Sequence, residues 1–138
     1  MGVKSKLAQG GDGTAIPAGF CGNLVTSTNT VAGSLTGDNL ITSITVNKGI
    51  YLCHGNVYLR PNSASSCAAK ITTGASISGT AEAGLVRLEG SVNGDTLVCM
   101  PLILNVTADG TTINLRGYSS ITSGAAGFTG TLDVYKLF

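Results

Sequence analysis

The side chains best suited to chemistry are few and scattered. His54 is the only histidine of the chain, and it follows Cys53 in an apolar run. Neighbouring residues of an extended strand point to opposite faces, so these two side chains cannot easily share a metal ion. A Ser-His-Asp triad would also have to use His54, and no Gly-x-Ser-x-Gly elbow occurs. We therefore interpret His54 as a half-buried sheet residue.

The cysteines show neither a metal-binding nor a disulfide pattern. They lack the Cys-x-x-Cys pair that zinc sites in small domains normally use, because adjacent turns place two thiolates on one ion. The charged N-terminus runs into a Gly-rich polar stretch instead of the apolar segment of an export signal, so disulfides are not favoured. We interpret all four as buried free thiols: Cys21, Cys53, Cys67 and Cys99.

Carboxylates and glycines likewise indicate no catalytic site. Glu82 and Glu89 are the only near acidic pair, and their spacing on a continuous strand would place them on opposite faces. The repeat Gly124-x-x-Gly127-x-x-Gly130 precedes a predicted strand and lacks the lysine of a phosphate loop. We therefore expect no catalytic residue, no cofactor and no bound metal.

Composition indicates a single domain with a weakly charged surface. The chain has 138 residues, of which 43% are hydrophobic, 5% aromatic and 11% charged, with a formal net charge of +1. A charged fraction of about 25% is usual. Without clustered positive charge there is no electrostatic case for binding nucleic acid or an anionic membrane. A surface of Ser, Thr, Asn and Gly is instead compatible with packing against other protein.

The elements that would position any site are β-strands. Turn residues and apolar alternation indicate about eight strands and no helical period. Eight strands joined by both tight turns and long loops predict an all-β, antiparallel two-sheet jelly-roll sandwich rather than an up-and-down barrel. The glycines at positions 10, 11 and 13 break regular structure, so we expect a flexible N-terminal arm over residues 1–15 and a jelly-roll domain over residues 16–138.

Strand positions in the first two thirds of the chain follow from the same signals. A linker is predicted from Thr30 to Asn39, and alternation places Leu40, Ile44 and Val46 on one face of the strand after it. Asn93-Gly94-Asp95 is predicted to form a hairpin turn. The strands before that turn are expected over residues 16–26, 40–46, 50–60, 68–77 and 85–92.

The last forty residues carry the strongest strand pattern. Three β-type runs, over residues 102–107, 112–118 and 127–138, are joined by short turns and describe antiparallel sheet. The strand over residues 96–106 is the most apolar, and we predict that it is central, with a bulge or an unpaired backbone position at Pro101. Alternation predicts core positions at Leu102, Leu104, Val106, Ile113 and Leu115.

Two parts of the chain resemble phage virion jelly rolls. Lys48-Gly49-Ile50-Tyr51-Leu52-Cys53-His54-Gly55-Asn56-Val57 is similar to a "strand, Gly, Tyr-Leu, small residue, Gly, Asn-Val" passage of those proteins. Residues 104–118 and 124–132 are similar to their paired strands, loop and closing strand. These modules resemble the tumour-necrosis-factor-like fold and occur as capsid decoration (cement) proteins and as tail-fibre tips. The resemblance covers residues 40–60 and 97–138.

The resemblance implies a structural virion protein. In this interpretation the chain is a capsid decoration (cement) subunit that binds and stabilises the outer surface of a phage head. Its partners would be the major capsid protein and other copies of itself, as a homotrimer or homodimer, with no nucleic acid and no membrane. It would be made in the host cytoplasm and reside on the capsid exterior. We expect the arm to supply partner contacts through Lys4, Lys6 and Leu7.

The alternative is a receptor- or glycan-binding knob of a phage tail fibre. A fibre tip normally follows a shaft or an anchoring domain in its own chain, whereas this sequence starts with Met1 and a short arm. A glycan-binding tip also favours exposed aromatic rings for stacking on sugars, and four Tyr plus three Phe are few. We therefore favour the capsid role. A secreted cytokine-like ligand is disfavoured because no signal peptide is visible.

Overall fold

The chain folds as two stacked four-stranded antiparallel sheets. A computed structural model describes residues 20–33, 37–60, 64–75, 86–92, 96–121 and 126–138. Sheet I has the strand order β1-β8-β3-β6, and sheet II has the order β2-β7-β4-β5. The strands are β1 (Leu24–Gly33), β2 (Gly37–Val46), β3 (Gly49–Arg60), β4 (Ala64–Thr72), β5 (Val86–Val92), β6 (Thr96–Val106), β7 (Thr111–Ile121) and β8 (Ala126–Lys136).

This topology confirms the predicted jelly roll of about eight strands. Six of the seven connections between successive strands cross from one sheet to the other, and only β4 and β5 are neighbours in the same sheet. Within each sheet, strands from the first half of the chain alternate with strands from the second half. The predicted arm over residues 1–15, and its boundary with the domain at residue 16, lie outside the described residues. In the segments that the structure does describe, no helix is long and apolar enough to cross a membrane.

The strands of the last forty residues do not pair with one another. β6 pairs with β3, β7 with β2 and β4, and β8 with β1 and β3. All three runs lie in antiparallel sheet, as predicted, but each is paired with strands from earlier in the chain. From β6 to β7 and from β7 to β8 the chain passes between two sheets packed roughly 10 Å apart instead of joining neighbours in one sheet. Asn93–Asp95 lie outside the described residues, but the hairpin predicted there is wrong because the strands on either side, β5 and β6, lie in different sheets.

β6 is an edge strand despite its apolar sequence. Its only partner within sheet I is β3, so the prediction of a central strand is wrong. Alternate backbone groups of an edge strand lie outside the ladder, which lets Pro101 occupy this strand without an N–H group. The pairing with β3 runs from Thr96 to Val106 without a register shift, so of the two predicted alternatives at Pro101 the bulge is absent, and an edge strand fits the unpaired backbone position.

Strand β1 ends later in the chain, and strand β2 begins earlier, than the sequence indicated. Together they occupy most of the segment from Thr30 to Asn39, so the prediction of a linker there is wrong. Hydroxyl-bearing residues pair readily on a solvent-facing sheet surface: Thr30 lies 3.1 Å from Thr129 of β8, oxygen to oxygen. β1 begins at Leu24 after a turn, so the predicted strand over residues 16–26 is not continuous. The first part of that prediction, residues 16–19, lies outside the described residues.

A β-bulge in β2 decides which apolar side chain enters the core. The pairing with β7 shifts register between Leu40 and Thr42. As a result Ile41 is 1% exposed, whereas Leu40 is 46% exposed. Ile44 and Val46 are buried as predicted. The prediction for Leu40 is wrong because one extra residue in the strand reverses the alternation of faces.

The core lies between the sheets and is built from alternate side chains of both. Leu104, Val106, Ile113 and Leu115 are buried, and Leu102 is partly buried against the same cluster, so the five predicted core positions are confirmed. Among the described residues, Phe128 of β8 has the largest fully buried side chain, which is 1% exposed.

Two glycines allow the sheets to approach closely beside this ring. A Cβ atom on Gly117 of β7 would lie 2.9 Å from Phe128 Cδ1. A Cβ atom on Gly130 of β8 would lie 2.7 Å from Cγ2 of Ile41. Real Cβ atoms do not come this close to other heavy atoms, and interiors are close-packed, so any larger residue would force the sheets apart.

Candidate binding face

His54, the histidine considered for catalysis, lies near a carboxylate on the outer face of sheet I but does not form a catalytic triad. The Thr26 hydroxyl donates to Asp133 Oδ1 at 2.6 Å, and His54 Nδ1 lies 3.9 Å from Asp133 Oδ2. In a triad the imidazole lies between the nucleophile and the carboxylate, whereas here the carboxylate lies between the hydroxyl and the imidazole. His54 is half-buried, as predicted. Within the described segments no group of three or more His, Cys, Asp or Glu could hold a metal ion.

The two cysteines whose side chains are described differ in environment. Cys53 is 0% exposed, and burial raises the pKa of its thiol to about 12, which keeps it protonated and unreactive. Cys21 is exposed in the turn before β1. The interpretation of all four cysteines as buried is therefore wrong for Cys21, because its turn lies outside the sandwich. The side chains of Cys67 and Cys99 lie outside the described residues.

Thiol alkylation tests this assignment. With intact protein at about pH 8, iodoacetamide should modify Cys21 and leave Cys53 unmodified, because reaction needs an accessible thiolate. Under denaturing, non-reducing conditions, mass spectrometry should find all four cysteines modified. Two unmodified cysteines with a mass lower by two hydrogens would reveal a disulfide and contradict the assignment.

A small cavity opens between the sheets near Tyr51. Its volume is about 160 Å³, and its lining combines valines with Asn47, Tyr51 and Lys136. The Tyr51 hydroxyl donates to the Asn47 carbonyl at 2.8 Å. The pKa of Tyr51 is raised, chiefly because the phenol is buried and to a smaller extent because the charges of Asp109 and Cys53 act on it, so the phenol stays protonated. The lining offers one cation and no carboxylate or imidazole, which leaves it without an acid–base pair.

An exposed apolar row crosses the outer face of sheet I from edge to edge. Leu24 of β1 pairs with Tyr135 of β8, Tyr135 with Leu52 of β3, and Leu52 with Ile103 of β6. These side chains point away from the core, because strand neighbours alternate between faces. They are 43%, 38%, 36% and 65% exposed in that order. We call these four residues the apolar row.

Hydroxyl groups cover the rest of that face. Thr28 lies opposite Thr131 with their oxygens 2.9 Å apart, and Thr30 lies opposite Thr129 in the same way. Among the side chains that the structure describes on this face, the carboxylate and imidazole noted above are the only pair of acid and base. The described part of this face is therefore poor in charged groups, and its hydroxyls are easier to desolvate than ions.

The outer face of sheet II has a different character. Arg116 Nε donates to Asp38 Oδ1 at 2.8 Å, and the two side chains are 14% and 22% exposed. Lys70 of β4 pairs in register with Arg116 and is 2% exposed. Charged groups thus lie at the centre of sheet II, whereas the centre of sheet I carries hydroxyls and apolar groups.

No protein-family model and no curated protein matches this chain. Solved structures share its fold: infectious bursal disease virus strain Gx has a TM-score of 0.57 at 14% identity, and the VP2 subviral particle of that virus 0.54 at 15%. Both alignments cover 83% of this chain, which spans only about a third of those chains (32% and 33%). A chain of the cyanophage Pam1 capsid asymmetric unit gives 0.51 at 17% identity, over 89% of this chain and 91% of that one.

These similarities show a fold shared with viral capsid proteins, as the resemblance to virion jelly rolls implied. The sequence did not indicate the apolar row, whose members come from four separate strands. The available signal was the unbroken apolar run around Leu52 and around Ile103, since such runs supply apolar side chains to both faces of a strand. The predicted partner-binding residues Lys4, Lys6 and Leu7 lie outside the described residues.

Proposed function

We propose that the chain is a structural virion protein that decorates the outer surface of a phage capsid. The observation that carries this proposal is the similarity to a chain of the cyanophage capsid asymmetric unit, which extends over 91% of that chain. A jelly roll of about this size, with little added, is therefore used in a phage capsid. The major capsid protein and further copies of this chain would be its partners, and the capsid exterior its location after synthesis in the host cytoplasm.

The proposed mechanism is stabilisation by mass action. A subunit that binds only the assembled shell stabilises it by RT ln(1 + [L]/Kd) for each occupied site, and many sites repeat the effect. The two-sheet core supplies a stiff block, and a non-catalytic role fits the arrangement around Asp133, which lacks triad geometry. The arm over residues 1–15 would order against a neighbouring capsid subunit and add contact area at an entropic cost.

Deleting residues 1–15 tests the contribution of the arm. The deletion should leave the thermal melt nearly unchanged, and it should weaken binding to purified, undecorated shells by about tenfold or more, which is 1.4 kcal/mol or more. A matched variant with Lys4→Ser and Lys6→Ser should lose much less, because exposed ion pairs contribute only about 0 to 1 kcal/mol each. Leu7 remains in that variant as an apolar contact.

Co-sedimentation with the shells, read beside a thermal melt of each form, measures both effects. Equal binding by the full-length and shortened chains would rule out a role for the arm. Absence of shell binding by either form would contradict the decoration role and favour the tail-fibre knob.

A further inference from the structure

We propose that the outer face of sheet I is the surface through which two copies of this chain associate, with the apolar row at the contact. The inference assigns a surface to the self-association proposed above, and it does not depend on the capsid role because it concerns the free protein. It rests on the apolar row, the charge of the face and the area of the sheet.

The apolar row is the first observation. Directly opposite residues on paired strands have Cβ atoms about 4.5–5.5 Å apart, so Leu24, Tyr135, Leu52 and Ile103 form one continuous stripe. Three strand spacings make this stripe about 14 Å long. Single exposed apolar residues are ordinary on a protein surface, but a contiguous set of large ones marks an interaction site. Ile103, at 65% exposure, is the most accessible of the four.

The charge of the face selects a second copy as the occupant. In a two-fold contact the same patch lies on both sides, so a charged patch would meet its own sign. On sheet I the described side chains include one carboxylate and one imidazole, Asp133 and His54, and these face each other. On sheet II the Arg116–Asp38 ion pair has Lys70 in register beside it, so that face carries three charged side chains, more than the described part of sheet I. Sheet I is therefore the face suited to self-association.

The area of the face agrees with a whole partner and not with a short segment. Four strands at about 4.8 Å spacing and about 11 residues at 3.3 Å each give a face of roughly 700 Å². A standard interface buries about 800 Å² on each partner. A single extended segment would cover the apolar row and leave the two threonine pairs, Thr28–Thr131 and Thr30–Thr129, in water. A second sheet I covers both.

The row is also compatible with two-fold symmetry. A two-fold axis in the plane of the interface and perpendicular to the row places Leu24 of one copy opposite Ile103 of the other, and Tyr135 opposite Leu52. Large apolar side chains then meet at every position along the stripe. The two threonine pairs, with their hydroxyls already paired across β1 and β8, lie on one side of the row and form a polar part of the contact.

Analytical ultracentrifugation of the full chain tests the proposal without any capsid. The wild type should associate reversibly in about the micromolar range, and Ile103→Asp should raise the dissociation constant about tenfold or more, since it buries a charge at the contact. Leu40→Asp is the matched control. Leu40 is 46% exposed on β2, outside sheet I, so this variant should associate as the wild type does. If Ile103→Asp fails to fold, Leu52→Ser and Ile103→Ser provide the same comparison.

Several results would overturn the proposal. These are a wild type that stays monomeric, an Ile103→Asp variant that associates normally, or an equal loss of association in Leu40→Asp. A monomeric wild type that associates only after residues 1–19 are deleted would show that the chain covers the row with its own N-terminal segment. A monomeric wild type whose shell binding is lost in Ile103→Asp would assign the row to the capsid, contradicting self-association while supporting the proposed function.

Discussion

Phe128→Ala is expected to lower the free energy of unfolding by about 3–5 kcal/mol. The ring is 1% exposed in β8, a central strand of sheet I, and it packs where Gly117 leaves room for it. Removing it leaves a cavity that the surrounding sheets cannot fill, because both are held by their backbone ladders. Urea denaturation followed by circular dichroism measures the change.

Thr129→Ala is the control for this substitution. Thr129 is the next residue of β8 and points to the outer face, where its hydroxyl lies 3.1 Å from that of Thr30. Losing one exposed contact should change stability by less than about 0.5 kcal/mol. Comparable losses in the two variants would contradict the assignment of inner and outer faces in β8.

Leu104→Ala should cost about 2–5 kcal/mol of unfolding free energy. Leu104 lies in the edge strand β6, is 9% exposed and belongs to the core cluster between the sheets. Its neighbour Ile103 is 65% exposed, so Ile103→Ala should change the stability of the free chain by less than about 0.5 kcal/mol. Both are measured in denaturant at one low protein concentration, because association would add stability that rises with concentration. A loss below about 0.5 kcal/mol for Leu104→Ala would show that the register of β6 is wrong.

Sequence periodicity predicted which residues face the core but not which strands are neighbours. Alternation correctly placed Val106, Ile113 and Leu115 inside, because the side-chain period of a strand is a local property. The position of β6 at an edge depends on long-range pairing, which no local pattern contains. A single bulge was enough to replace Leu40 by Ile41 in the core. A turn signal, similarly, does not distinguish a hairpin from a crossing between sheets.

The binding face was less predictable than the fold. The apolar row joins Leu24 and Tyr135, which lie near opposite ends of the chain, and they become neighbours only through the pairing of β1 with β8. The exposure of Cys21 likewise depends on where the turn before β1 sits relative to the sandwich. Fold does not by itself imply function, so the location of the protein has to be observed directly.

Cryo-electron microscopy of the virion that carries this chain tests the central claim most directly. We expect density for a two-sheet jelly roll at repeated positions on the outside of the shell. Its sheets should be recognisable by the strand order β1-β8-β3-β6 and β2-β7-β4-β5. Density for the chain at the tail tip, with none on the shell, would contradict it.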